Sequence, residues 1–242
     1  MPAEYVGSVL KPIADALGKE SELGATDSML DALHDMLVLE RTHKAGALTA
    51  PAMSALLQLL KHELQKDEKR LKEAAAAKAE EGEDADADDE DDEEAQELLN
   101  TLSYIVTELL RQHGAAALEP IESQLLPHVQ AWMGGGDVHR LSLGIEIFGA
   151  AIEYGGAAAG KKYVAAVLPL LTQHLALEPD EPKLRRAAAY GLGVVSEFGG
   201  KLLSRKAEKE AVGLLGAALS SSAARYSASR LRFTYDLGEF YL

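Results

Sequence analysis

The apolar positions along this chain recur at helical spacing, and strand-like alternation is hard to find. In the second half they fall into six blocks separated by Gly, Pro and Asp. Because Ala and Leu are abundant and β-branched runs are scarce, local propensity also favours helix. The pattern predicts an all-α protein, with helices in this half over 96–113, 119–133, 137–154, 161–176, 181–198 and 202–219.

Residues at the ends of these blocks are typical of helix caps. Asp137 stands at the N-cap position of one predicted helix, where its carboxylate can accept a backbone N–H. Gly114, Gly155 and Gly199 each follow a predicted helix. Glycine is common there because the residue after a helix often adopts a left-handed conformation. We therefore expect all three glycines to end helices in this way.

The predicted helices resemble one another in pairs. Residues 152–156 match residues 196–200 at an offset of 44, and residues 125–127 match 167–169 at an offset of 42. Helical hairpins that recur at about 40 to 47 residues are typical of HEAT and armadillo arrays. In such arrays each repeat buries its apolar face only against its neighbours. We therefore predict an α-solenoid of HEAT repeats, a right-handed superhelix of helical hairpins, with three repeats over 96–219.

The regions that flank this array are less regular. The pattern predicts helices over 4–17, 27–40 and about 51–78, and we interpret 1–79 as an irregular HEAT-like repeat with an inserted helix. At the other end, residues 220–242 hold a serine cluster and a group of aromatic residues. No helical pairing continues there, so we predict a non-repeat tail that either covers the end of the array or hangs free.

Acidic residues are concentrated in one short block. The formal net charge is −15, and 12 of the 15 residues from 80 to 94 are Asp or Glu. Dense like charge opposes compaction, so we predict that residues 80–95 form an acidic, disordered loop. This loop either attracts basic ligands or is merely solvated. The candidate partner-binding residues are Glu80, Glu81, Glu83, Asp84, Asp86, Asp88, Asp89, Glu90, Asp91, Asp92, Glu93 and Glu94.

A second set of candidate partner-binding residues lies near the starts of the first helices of two successive predicted repeats. Arg140 and Arg185 are 45 residues apart, which is close to the repeat period. We expect a structural ladder in which they pair with neighbouring acids, namely Asp137, Asp180 or Glu181. The alternative is a row of cations, including Arg186, that faces an acidic segment of a partner. Surface ion pairs are common and weak, so their presence alone does not favour the second interpretation.

Composition excludes several classes of protein. The chain has no cysteine, which rules out disulfides and Cys-based zinc sites. Its negative charge argues against broad binding to nucleic acid or to anionic membrane surfaces, because both require clustered Lys and Arg. The sequence contains no run of about 20 apolar residues, which is the length needed to span a bilayer. We therefore expect no nucleic-acid or membrane partner.

No motif supports catalysis. Residues 155–161 have the spacing of a phosphate-binding loop, but Lys162 stands where that loop needs Ser or Thr, and a helix precedes it. The seven histidines are scattered without zinc-hydrolase spacing, and no nucleophile elbow is present. We therefore expect no enzymatic activity, no cofactor and no metal site.

Residues 184–200, LRRAAAYGLGVVSEFGG, resemble a C-terminal-half HEAT repeat of the importin-β superfamily, of the importin-5 and importin-4 type. The neighbouring order is similar too: a long helix, an acidic loop, a helix with an internal Leu-Pro at 126–127, and a repeat that opens with Asp137. The resemblance covers about 98–203, whereas 1–97 agrees more in layout than in residues. The family's proteins are several times longer, so the chain resembles a piece of a receptor.

This resemblance implies a nuclear transport receptor that acts in the cytoplasm and nucleus. Its expected partners are basic cargo proteins and Phe-Gly nucleoporins. The resemblance assigns Ran-GTP binding to N-terminal repeats of the full-length family, so we expect Ran-GTP to bind this chain poorly. Two alternatives remain: an acidic chaperone for histones or other basic proteins, and a HEAT scaffold of another complex, such as a phosphatase.

Overall fold

The computed structural model describes residues 12, 13, 15–43, 48–81, 89–176, 182–198, 209 and 212–217. Every regular element in these ranges is helical, and none of the described residues forms a strand. The long helices are α1 (Leu23–His43), α2 (Ala50–Glu81), α3 (Asp89–His113), α4 (Ala115–Gln124), α5 (Leu126–Gly134), α6 (Val138–Tyr154), α7 (Gly156–Ala176) and α8 (Pro182–Phe198).

These helices pack in two layers. In layer one, α1, α3, α6 and α8 lie side by side in chain order. In layer two, α2 contacts α4, which continues into α5 and also contacts α7. The layers meet where α3 contacts α4, α5 contacts α6, and α7 contacts α6 and α8, and one apolar core fills the space between them. The predicted all-α solenoid is therefore confirmed.

Helix α6 lies at the centre of this packing, which explains its apolar residues on nearly every side. Leu141, Ile145 and Ile152 are buried, and so are Leu143 and Ile147 on its other flank. The neighbouring α8 approaches closely because Gly191 has no side chain: a Cβ there would lie 2.7 Å from Leu171 Cδ2 and 3.2 Å from Ile145 Cγ2. Small residues thus set the spacing between α6, α7 and α8.

Two predicted helix boundaries are wrong. The helix predicted over 119–133 is two helices, α4 and α5, with Leu125 between them. Pro127 stands in the first turn of α5, where its missing N–H removes no helical hydrogen bond, because the first N–H groups of a helix have no partner within it. The helix predicted to begin at residue 161 begins at Gly156. It continues through Pro169, so the sequence match between 125–127 and 167–169 does not extend to conformation.

The cap predictions had mixed outcomes. Asp137 is confirmed as the N-cap of α6, since its Oδ1 accepts the Arg140 backbone N–H at 2.7 Å. Gly114 has the expected positive φ, at 54°, but its ψ of −130° lies outside the left-handed helical region. Gly155 is not left-handed, since its φ is −76°; glycine is needed there because a Cβ would lie 2.4 Å from the Ala151 carbonyl oxygen. Gly199 lies outside the described residues.

The predicted disordered loop over 80–95 is wrong at both of its ends. Helix α2 continues through Glu81, and α3 already begins at Asp89 and buries Ala95. Glu is a good helix former, and carboxylates in the first turn of a helix interact favourably with the helix dipole. Glu80 and Glu81 therefore end α2. The acids in the first turns of α3 are Asp89, Glu90, Asp91, Asp92, Glu93 and Glu94.

Several predictions fall on residues outside the described ranges. They include the acidic residues Glu83, Asp84, Asp86 and Asp88, and the tail over 220–242. Of the helix predicted over 4–17, residues 12, 13 and 15–17 are helical, and of the helix over 202–219, residues 209 and 212–217 are helical. The division into one irregular repeat over 1–79 and three repeats over 96–219 stays a prediction.

Candidate partner-binding surfaces

Arg140 joins layer one to layer two through a buried ion pair. Its Nη2 lies 2.8 Å from both carboxylate oxygens of Asp67 on α2, and its Nη1 donates to Asp137 Oδ2 at 3.0 Å. The Asp67 Oδ1 atom also accepts from Arg70 Nη2 at 3.0 Å. The contact with Asp137 was expected from the sequence, whereas Asp67 lies 73 residues away and was missed.

The other two arginines of the predicted ladder lie on α8. Arg186 is exposed and attracts the Glu146 carboxylate of α6. Arg185 is half-buried, and the partners predicted for it, Asp180 and Glu181, lie outside the described residues. Because Arg140 is buried against Asp67, Arg186 is better placed than Arg140 to meet a partner.

The outward surface of layer one is acidic and carries several rings. We define the layer-one face by the exposed and half-exposed side chains that follow each other at helical spacing on its four helices. Seven carboxylates, two guanidinium groups and four rings make up this face. They are Asp27, Asp31, His34, Asp35, Glu97, Tyr104, Arg111, Glu146, Glu153, Tyr154, Arg186, Tyr190 and Glu197.

The α1–α3 part of the layer-one face gathers three carboxylates. Asp31 Oδ1 accepts the Thr101 hydroxyl at 3.2 Å. Burial raises the pKa of Asp27, and repulsion from Asp31 and Glu97 acts in the same direction, against a hydrogen bond with Thr101. Mutual repulsion of this kind indicates a negative potential that favours an approaching cation.

An exposed ring pair lies next to these carboxylates. Tyr104 on α3 has 52% of its surface exposed, and the His34 ring of α1 lies 6.0 Å from it, centroid to centroid, in a tilted arrangement. Asp35 extends into solvent beside His34. An open tyrosine face attracts Lys or Arg, and the effect adds to that of nearby carboxylates.

Polar contacts continue the layer-one face across α3, α6 and α8. The Arg111 guanidinium lies 5.4 Å from the centre of the Tyr154 ring, and its Nε donates to the Tyr154 hydroxyl at 3.2 Å. The Tyr190 hydroxyl donates to Glu153 Oε2 at 3.0 Å. Burial raises the pKa of Glu146, and attraction to Arg186 offsets part of that rise. Arg186 was the one residue of this face expected from the sequence, because the acids of the face are spread over four helices.

Layer two carries an apolar groove between α5 and α7. Its volume is about 290 Å³, and Phe148 of α6 contacts the edge of the Tyr163 ring within it, with centroids 5.3 Å apart. At one side, Lys162 pairs with Glu122 at 2.6 Å. The lining residues are Gln130, Met133, Phe148, Lys162, Tyr163, Ala166, Val167 and Leu170. A groove below the size range of drug-like pockets suits a single aromatic side chain.

A larger cavity, of about 600 Å³, lies where α1 and α3 begin against the middle of α2. The cations that line it are paired with acids of the same cavity. These pairs are Lys66 with Glu63 at 3.0 Å, Lys69 with Glu73 at 3.5 Å and Arg70 with Asp67 at 3.0 Å. The layer-one face therefore offers more open negative charge than this cavity does.

Two further properties concern the described part of the chain alone. Within it, no group of three or more His, Asp or Glu side chains is arranged to hold a metal ion. Over the same ranges, no helix combines the length and the apolar character required to cross a membrane.

Comparison with known proteins identifies one family and one group of structures. Residues 26–135 match the family described as Importin repeat 6. Among curated protein sequences no match was found. The structural matches include the karyopherin Kap121p bound to the SUMO protease Ulp1p, with a TM-score of 0.66 and 16% identity over 95% of this chain.

Two further structures of Kap121p match equally well. Kap121p bound to Nup53p has a TM-score of 0.66 and 13% identity over 95% of this chain, and Kap121p bound to RanGTP has 0.64 and 14% over 94%. These matches cover 20% of the first, 22% of the second and 21% of the third Kap121p chain. The chain therefore has the helical solenoid fold of HEAT-repeat karyopherins and spans about a fifth of their length.

Proposed function

We propose that this chain belongs to the importin-β superfamily, of the importin-5 and importin-4 type, and acts as a nuclear transport receptor scaffold without catalysis. The observation that carries the proposal is the Importin repeat 6 match over residues 26–135 in a chain with the solenoid fold of Kap121p. Transport between cytoplasm and nucleus is part of the same proposal. The Kap121p complexes with Ulp1p and Nup53p support cargo proteins and nucleoporins as its partner classes.

The layer-one face supports basic cargo as the first partner class. Its seven carboxylates outnumber its two arginines, and Tyr104 and Tyr190 offer rings beside them. An extended segment rich in Lys or Arg could pair with the carboxylates and stack on the rings. Since most of these acids are exposed, binding should weaken as salt rises, because charges are screened over about 10 Å at 0.1 M ionic strength.

A labelled Lys-rich peptide tests the assignment of this face. Neutralising Asp35, Glu97 and Glu197 as D35N/E97Q/E197Q should weaken binding about tenfold, which corresponds to roughly 0.5 kcal/mol for each exposed charge. The matched control D15N/E73Q/E119Q removes three exposed acids from other surfaces and should change the Kd by less than about twofold. Equal weakening by both variants, measured by fluorescence anisotropy, would contradict the assignment.

The groove between α5 and α7 supports nucleoporin binding as the second partner class. A Phe-Gly repeat presents isolated phenylalanines, and the groove is lined by the half-buried Met133 and Leu170 together with the buried ring of Phe148. Ala166 lines the groove, whereas its exposed neighbour Ala165 does not. We expect Ala166→Asp to abolish capture by an immobilised Phe-Gly polypeptide and Ala165→Asp to leave it intact. A Ser-Gly polypeptide controls for non-specific capture.

Twelve acids within residues 80–94 favour a second candidate, an acidic chaperone for histones or other basic proteins. In that case neutralising Glu83, Asp84, Asp86 and Asp88 should remove most binding of a basic protein. A receptor that binds cargo on the layer-one face should keep most of it. Affinity measurements on this variant beside D35N/E97Q/E197Q therefore separate the two candidates.

A further inference from the structure

One segment of the chain is opposite in charge to the protein as a whole. Residues 223–235 contain no Asp or Glu, although the chain has a formal net charge of −15. The segment lies outside the described residues. Three arginines and three aromatic residues are interspersed along it, in the order Arg225, Tyr226, Arg230, Arg232, Phe233 and Tyr235.

The α6–α8 part of the layer-one face is complementary to this composition. The acids Glu146, Glu153 and Glu197 outnumber the single exposed arginine there, Arg186, and the Tyr190 ring lies beside Glu153. Guanidinium groups pair with carboxylates through charge-assisted hydrogen bonds and stack on aromatic faces. The charge pattern of residues 223–235 therefore matches what this surface offers.

The last described residues, 212–217, bring the segment within reach of this surface. Residues 212–217 are helical, and Leu214 and Leu215 pack against the same apolar core as α8. Arg225 is the eighth residue after Ala217. An extended chain of that length spans about 25–30 Å, whereas neighbouring packed helices lie only about 10 Å apart. Both α8 and α6 are thus within reach of the arginines.

We propose that residues 223–235 bind the α6–α8 part of the layer-one face of their own chain and compete there with basic cargo. The competition rests on the proposed function, whereas the contact itself does not. A tethered segment has an effective concentration on the order of millimolar, so even a weak contact occupies the site. Free cargo must displace the segment, which lowers its apparent affinity.

Substitution of the three arginines in the full chain tests the competition. The variant R225Q/R230Q/R232Q should bind the labelled Lys-rich peptide about fivefold more tightly, because the tethered competitor is lost. The matched control K19Q/K72Q/K161Q removes the same charge from exposed lysines that lie off the layer-one face. We expect less than about a twofold change in Kd for the control. An unchanged or weaker affinity of the arginine variant would overturn the competition.

A distance measurement tests the contact without any cargo. The sequence has no cysteine, so Ser229→Cys and Thr107→Cys create one labelling site in the segment and one on α3, a turn away from Arg111. Spin-label distances between them should be short in the parent chain and should lengthen when Arg225, Arg230 and Arg232 are replaced by Gln. Labels at Ser229→Cys and at Lys72→Cys on α2 provide a reference pair.

These two measurements separate the two proposals. If the spin-label distance lengthens when the three arginines are replaced but the chain does not bind the peptide, the contact is supported and the basic-cargo function is refuted. If the chain binds the peptide but the spin-label distance does not change when the arginines are replaced, the function is supported and the contact is overturned.

Discussion

Single residues decide how the two layers are held together, and Arg140 is the clearest case. Its side chain and that of Asp67 expose only 9% and 6% of their surfaces, and they join α6 to α2. Removing one partner of a buried ion pair leaves an uncompensated charge, which costs far more than the loss of an exposed pair. The partners of Arg140 therefore contribute to stability rather than to a binding surface.

Arg140→Met should lower the free energy of unfolding by about 3 kcal/mol, since Asp67 would keep only Arg70 as a compensating charge. Lys162→Met, which breaks the exposed pair with Glu122, should cost less than about 1 kcal/mol. Urea denaturation measures both. A double variant D67L/R140M that is no more stable than Arg140→Met would contradict the role of the orphaned carboxylate.

The pH dependence of stability should reveal the raised pKa of the half-buried Glu146. Because its pKa is raised, the Glu146 carboxyl group stays protonated to higher pH in the folded chain than in the unfolded chain. The contribution of Glu146 to the free energy of unfolding is therefore fully present below pH 4.5, the ordinary pKa of a glutamate. It is lost as the pH rises from 4.5 through the pKa of Glu146 in the folded chain.

Glu146→Gln should accordingly raise Tm at about pH 7.5, where the parent residue is charged, and should leave Tm unchanged at about pH 4. Differential scanning fluorimetry at the two pH values measures the difference. Glu119→Gln, at an exposed position on α4, serves as the control and should alter neither value. Equal effects of Glu146→Gln at both pH values would mean that titration of Glu146 is not involved.

At the scale of helices, small residues set the spacing of the stack. Gly191 lies where α8 meets α6 and α7, and a methyl group there has no room beside Leu171 and Ile145. Overpacking of a core typically costs 1–3 kcal/mol, because side chains and backbone must shift. The helical propensity gained by replacing glycine, at most about 1 kcal/mol, cannot compensate fully.

Gly191→Ala should therefore destabilise the chain by about 1–2 kcal/mol in urea denaturation. Gly213→Ala is the matched control, because that helical glycine has no atom within 4 Å of the position its Cβ would take. The control should be neutral or slightly stabilising. A Gly191 variant as stable as the control would show that α8 can move away from α7 without loss.

At the scale of the whole molecule, excess negative charge opposes the compact state. The formal net charge is −15, and seven acids share the layer-one face. Self-repulsion of this kind destabilises a folded chain and is screened by salt. The folded solenoid should therefore be more stable at moderate ionic strength than at low ionic strength.

We expect Tm to rise by a few degrees between about 20 mM and about 200 mM NaCl at neutral pH. The variant D35N/E97Q/E197Q should show a smaller rise, because part of the repulsion is already removed. A Tm that falls with salt in the parent chain would mean that favourable ion pairs outweigh the net repulsion.

The sequence by itself determined the helical class, the α-solenoid, the N-cap at Asp137 and the positive φ of Gly114, because these depend on periodicity and on local backbone chemistry. It misplaced the two ends of the loop predicted over 80–95, because charge repulsion was weighed without the helix dipole and the helix propensity of Glu. Only the tertiary structure paired Arg140 with Asp67 and gathered seven scattered acids on one face. Linear spacing cannot show which helices become neighbours, because that is decided by how their apolar surfaces fit together in the stack.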